Sequence, residues 1–127
     1  MAAIDPTAEQ VAALVAAAQD DPAPVVMINL LKFARDGVAS YERYGTEVQP
    51  HLDKVGASVV YAGNASEVVI GEEPAAWWDA IVVVRYPSRA AFVAMATSPG
   101  YQEVAVHRAS ALVDSKLIAT SPWQLPL

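Results

Sequence analysis

The chain has no cysteine. That excludes a disulfide framework, a thiolate nucleophile, iron–sulfur ligation and cysteine zinc sites. Histidine is nearly as scarce: His51 and His107 share no HxH or HxxE spacing, so no metal is expected. Positive charge is thin as well. Eight Lys and Arg stand against fourteen Asp and Glu, for a net charge of −6, and the cations are scattered. This argues against nucleic acid or an anionic membrane as partner. Apolar runs fall far short of the ~20 residues that span a bilayer. The opening "MAAIDPTAEQ" has neither a charged n-region nor an apolar core, so no secretory signal is expected and a cytoplasmic location is the default. GxGxxG, GxxxxGK[ST] and GxSxG are all missing, which leaves a nucleotide cofactor or an elbow serine without a motif.

What is present is apolar surface. The 127 residues are 54% hydrophobic and 17% charged. The length fits one domain, residues 1–127, and the surplus of apolar side chains points to a subunit interface. Thr7 and Gln10 form a capping-box pattern before Val11, Leu14, Val15 and Ala18, predicting an N-terminal helix over about 7–19. "VVMINLLKF" (25–33) reads as a strand. Steps of three and four from Val38 to Val55 predict an amphipathic helix, with Pro50 expected to kink or split it near Gln49 and Gly56 as its stop. "ASVVYAGNASEVVIGE" is strand-like, with a bulge or tight turn at Gly63-Asn64. "WWDAIVVVRY" (77–86) is a further strand. Ser88 and Ser98 are positioned as N-caps of two helices, the second with Pro99 at its first position. Tyr101, Val104, Ala105, Arg108 and Leu112 make the inner face of that second helix. "SKLIAT" is a last short strand. The tail 121–127, with Trp123, Leu125 and Leu127 between prolines, is expected to dock.

The order is α, then β-α-β-β-α-β. The strands at 25–33 and 77–86 are apolar on both faces, and a ferredoxin-like antiparallel sheet in the order 4-1-3-2 places those two strands in its centre. Helices cover only one face of such a sheet. The other face therefore needs a second cover, most simply the same sheet of another subunit.

The stretches "MINLLKF", "YERYGTEVQPHLDKVGASVVYAG", "IVVVRYPSRAAFVAM" and "SPGYQEVAVHR" resemble the DUF1330 family of the dimeric α+β barrel superfamily, over residues 25–120. "YPSRAAF" followed by "SPGYQ" is the most specific portion. The resemblance implies a homodimer with facing sheets and a small-molecule cleft between sheet and helices. It implies no particular reaction, since the superfamily spans cofactor-free monooxygenases, muconolactone isomerases, polyketide cyclases and haem-degrading enzymes. The interval from Tyr101 to His107 differs from the shorter spacing of the haem-degrading members, so no haem is expected.

Asn29 shares a strand face with Met27, Leu31 and Phe33. It is either a structural amide or a donor and acceptor in the cleft. In the second case Asn29→Leu should leave stability unchanged or raise it. Asp79 follows Trp77 and Trp78, and a pairing of Asn29 with Ile81 would set Asp79 diagonal to Asn29. A carboxylate desolvated among tryptophans is the kind of group that general acid–base chemistry uses. The competing reading is an exposed aspartate at a strand entrance. Arg85 shares the alternation of Trp77 and Asp79. It either receives a carboxylate or enolate or is an exposed strand-end cation. Tyr41 and Tyr44 lie on the inner stripe of the long helix, and Tyr101 heads the inner face of the last one.

The resulting expectation is a cofactor-independent enzyme acting by proton transfer, of isomerase or monooxygenase type, on an aromatic or enolisable substrate. Asp79 or His107 would serve as base. Asn29, Tyr41, Tyr44, Arg85 and Tyr101 would hold the polar end of the substrate, and Trp77 or Trp78 would form a wall. A non-catalytic binder of a small apolar ligand and a purely structural homodimer are the alternatives.

Overall fold

The computed structural model describes residues 3–72 and 78–124. The capping box forms as patterned: Gln10 N–H donates to Thr7 Oγ1 at 3.1 Å, and Thr7 N–H to Gln10 Oε1 at 2.9 Å. It opens helix α1, Ala8–Asp20. Strand β1, Val25–Phe33, alternates buried and half-buried residues along its length. Helix α2, Gly37–Lys54, runs through Pro50 and is not split at Gln49. Pro50 lacks only the N–H that would reach the Thr46 carbonyl, and packing of Val48 and Leu52 on either side of it in the core holds the helix together. Gly56 ends the segment at φ 76°, a conformation that favours glycine.

Strand β2 is Ser58–Asn64, shorter than its sequence pattern. Its partner strand begins at Ala80, opposite Asn64, and one further bond, Ala65 N–H to the Asp79 carbonyl at 2.9 Å, follows the ladder. Val69 and Ile70 are 89% and 94% exposed. The bulge falls at Val60, where the register shifts between Val59 and Tyr61, and not at Gly63-Asn64. Strand β3 is Ala80–Tyr86. Trp78 and Asp79 precede it, and Trp77 lies outside the described residues. Ser88 and Ser98 cap helices α3, Arg89–Ala96, and α4, Pro99–Ala111, by accepting from Ala91 N–H and Tyr101 N–H. Helix α4 passes without a loop into strand β4, Leu112–Thr120, so Leu112 begins the strand and does not extend the helix.

The sheet order is β2-β3-β1-β4, antiparallel throughout, which is the 4-1-3-2 order of the ferredoxin-like fold. Asn29 pairs with Val82 and Leu30 with Ile81, one residue away from the Asn29–Ile81 pairing that would have set Asp79 beside Asn29. A one-residue difference moves a side chain to the other face. Val25, Met27, Val84 and Tyr86 meet Val48 and Leu52 of α2, Met95 of α3 and Val104 of α4 in the main core. The opposite face carries Val26, Ile28, Leu30, Ile81, Val83 and Ile118, and none of these joins a core cluster. The start of α2 presses on the end of α4: a Cβ on Gly37 would collide with the Ala111 carbonyl, which accepts from Ala34 N–H at 2.8 Å. Glycine is required at that junction, which sets the two helices side by side over the sheet. Among the described residues, no helix is long and apolar enough to cross a membrane.

Candidate functional site

Asn29 is 8% exposed, and both ends of its amide are bonded. Nδ2 donates to the Val82 carbonyl at 3.1 Å, and Oδ1 accepts from Arg108 Nη2 at 3.3 Å. Arg108 comes from the last full turn of α4, where a cation is also favoured by the helix dipole. Its guanidinium also lies beside the Tyr41 hydroxyl and acts on it electrostatically. The phenols of Tyr44 and Tyr101 bond each other at 3.0 Å. The rings of Phe33, Tyr41, Tyr44 and Tyr101 form a row with successive centroids 5.7, 5.4 and 6.4 Å apart. Edge-on and tilted contacts of this kind lock ring orientation.

Burial pushes the Tyr41 hydroxyl up from its ordinary pKa, with Arg108 pulling against that rise. Burial raises Tyr44 further, helped by Tyr101, and it raises Tyr86 too. All three therefore stay protonated donors at any physiological pH. Among the described residues, no buried side-chain nitrogen or oxygen lacks a partner.

Beside this network lies a cleft of about 330 Å³. The sheet supplies Leu31, Phe33, Ala62, Ala80 and Val82, and α2 supplies Val38, Tyr41 and Glu42. Tyr41 thus belongs both to the cleft wall and to the polar network behind it. A second cleft of about 320 Å³ lies between the ends of α2 and α3 and the start of α4, bordered by His51, Lys54, Met95 and Gly100.

Four of the residues singled out in the sequence therefore come together: Asn29, Tyr41, Tyr44 and Tyr101. The others lie elsewhere. Asp79 ties the end of β1 to the loop before β3: Oδ2 accepts Phe33 N–H at 2.9 Å and Oδ1 pairs with Lys32 Nζ at 3.2 Å. Arg85 is exposed on the uncovered face, paired in register with Val26 and Ser58. His107 Nε2 sits 3.7 Å from Glu47 Oε1, and His107 lines neither cleft. Trp78 is half-buried and lines neither cleft.

Two residues were not picked out. Arg108 was legible as a cation on an otherwise apolar helical stripe, a position that demands partners. Glu42 gave no signal, because its place on the cleft rim depends on how α2 crosses the sheet.

The model of the domain of unknown function DUF1330 matches residues 30–121. The chain belongs to the DUF1330 family. The RPA0582 protein of Rhodopseudomonas palustris, also of unknown function, is 33% identical, with a TM-score of 0.87 over 98% of this chain and 100% of that one. This DUF1330 chain shares its fold alone with two more distant structures. One is a dimeric ferredoxin-like protein of unknown function from Bacteroides fragilis (12% identity, TM-score 0.52, covering 76% of this chain and 94% of that one). The other is the hydroxynitrile lyase of Passiflora edulis (13% identity, TM-score 0.62, covering 84% and 100%). No match is found among curated proteins.

Proposed function

We propose that this DUF1330 protein is a homodimer that binds a small apolar or aromatic molecule in the sheet–helix cleft of each subunit. One observation carries the ligand reading. A polar cluster, Asn29 bonded to Arg108 with Tyr41 beside it, stands directly behind an apolar cleft of about 330 Å³. Clefts of roughly 300–1,000 Å³ with a few convergent polar groups are the usual form of small-molecule sites. The dimer reading is supported by the apolar residues of the uncovered sheet face and by the dimeric ferredoxin-like relative in fold.

A fragment screen read by thermal shift tests the site. The edge-strand residue Ala62 lines the cleft, so Ala62→Trp should fill it without disturbing the core. Fragments that stabilise the wild type and lose their effect in Ala62→Trp support the reading. Fragments indifferent to that substitution refute it.

A second reading is favoured by Glu42, a carboxylate on the cleft rim next to Tyr41. In it the bound molecule undergoes proton transfer. The hydroxynitrile lyase that shares the fold is an enzyme, although a shared fold does not carry chemistry across. Glu42 is the candidate base, since Asp79 and His107 line neither cleft. Once a turned-over compound is found, Glu42→Gln should cost about 10²–10⁴-fold in kcat, with Asp79→Asn and His107→Gln as controls. An unaffected Glu42→Gln refutes catalysis by this group.

A further inference from the structure

Among the described residues, Arg108 is a cation without a counter-ion. The ion pairs among the described residues use Lys32, Arg43, Arg89 and His107. Arg108, half-buried between α2, α4 and the sheet, has instead the amide oxygen of Asn29 and the phenol of Tyr41, both neutral. Desolvating a guanidinium costs several kcal/mol per ion, and proteins offset that cost with an opposite charge. Two neutral neighbours offset it only in part.

The chemistry of its neighbours adds direction. A phenol beside a guanidinium donates its proton more strongly to a third group, because the cation stabilises the charge left on its oxygen. Tyr41 stands beside Arg108, and Tyr41 is also part of the cleft wall. Asn29 fixes the guanidinium from the other side by spanning Arg108 and the Val82 carbonyl.

We propose that the molecule held in the cleft carries a carboxylate, received by Tyr41 with Arg108 as its counter-ion, while Leu31, Phe33, Ala80 and Val82 take its apolar body. The proposal rests on the reading of the cleft as a small-molecule site and adds the charge of the occupant. Glu42 on the same rim disfavours a second negative charge, so a monocarboxylate fits better than a dicarboxylate.

The test uses isotope-labelled full-length protein and two sets of probes matched in shape: benzoate and phenylacetate against benzamide and benzyl alcohol. Amide shifts of Tyr41, Glu42 and Val82 report binding in the cleft. The carboxylates should bind at least tenfold tighter than the neutral compounds and weaken as sodium chloride rises from 50 to 500 mM. Arg108→Gln should remove that preference, while Arg108→Lys should retain part of it. If Arg108→Gln does not fold, the wild-type preference and its salt dependence decide the question alone. Equal binding of charged and neutral probes in the cleft overturns the carboxylate proposal and leaves the cleft reading intact. Shifts confined to other parts of the molecule, or none at all, overturn both.

Discussion

The two faces of the sheet are built from similar side chains and finished in different ways. On the helix side, Val25, Met27 and Leu31 are fully enclosed, and the same strand carries Asn29 with both ends of its amide bonded. On the other side, Ile28, Leu30, Ile81 and Val83 lie in register across β1 and β3, and the nearby Tyr61 and Ile118 are 59% and 45% exposed. The closed face tolerates polar groups only in satisfied networks, so its single amide is informative about a site. The bare face carries the Lys32–Asp79 ion pair at the end of β1, and the apolar area beside it is informative about a partner. One strand pair thus serves two kinds of recognition, sorted by the alternation of side chains.

The strongest way to break this comparison is to charge the bare face. In a dimer of facing sheets, Ile81→Glu brings two carboxylates into an apolar interface, which costs several kcal/mol. Light scattering should give wild-type particles of two 13.4 kDa chains at micromolar concentration and single chains for the variant. A monomeric wild type would remove the proposed role of that face.

The closed face is exposed by alkali. The folded-state pKa values of Tyr41, Tyr44 and Tyr86 are raised, so the unfolded chain loses these protons first, near the ordinary value of 10.0. Their contribution is whole below that pH and falls as pH rises above it, by up to about 1.4 kcal/mol per pH unit for each tyrosine. Urea melts at pH 9, 10 and 11 should show a drop of roughly 2 kcal/mol over the last unit from Tyr44 and Tyr86, with Tyr41 adding to it. Tyr44→Phe should remove about 1 kcal/mol of it. A flat profile contradicts burial of these phenols.

Asn29→Leu sharpens the comparison within one strand. From sequence alone the substitution was expected to be neutral or stabilising. The bond from Arg108 reverses that expectation, because leucine strands a half-buried guanidinium donor and costs about 2–3 kcal/mol. Adding Arg108→Met should recover part of the loss, a coupling read by a double-mutant cycle. Strict additivity would mean that the two residues do not act together.

The smallest effect belongs to the tail. Trp123 was expected to dock but is 71% exposed, and Leu125 and Leu127 lie outside the described residues. Trp123→Ser should change the stability of the fold by less than about 0.5 kcal/mol. A larger loss would mean that the indole is covered in the assembled protein.

The fold was largely legible because it depends on period. The apolar run at 25–33, the capping box at Thr7 and the serine caps at 88 and 98 are local signals, and each marks an element where it was read. The errors fall where tertiary pairing overrides local pattern. Residues 65–72 look like a strand, but among the described residues the strand pairing stops at Asn64, and Pro50 is tolerated because packing holds both halves of α2. The site was half legible. Asn29 announced itself as a polar residue on an apolar strand face. Its partner Arg108 is 79 residues away, and only the way α4 crosses the sheet brings them together. The relation of Asp79 to Asn29 hung on a register that no local signal fixes.

Methyl-labelled protein tests the division between the faces most directly. Benzoate and phenylacetate should shift the methyls of Leu31, Val38 and Val82, while dilution across the dimer transition should shift those of Ile28, Leu30, Ile81 and Val83. Each set should remain still under the other perturbation. If the small molecules move the Ile28, Ile81 and Val83 methyls and leave Val38 and Val82 unchanged, the cleft is not the site and the account is wrong.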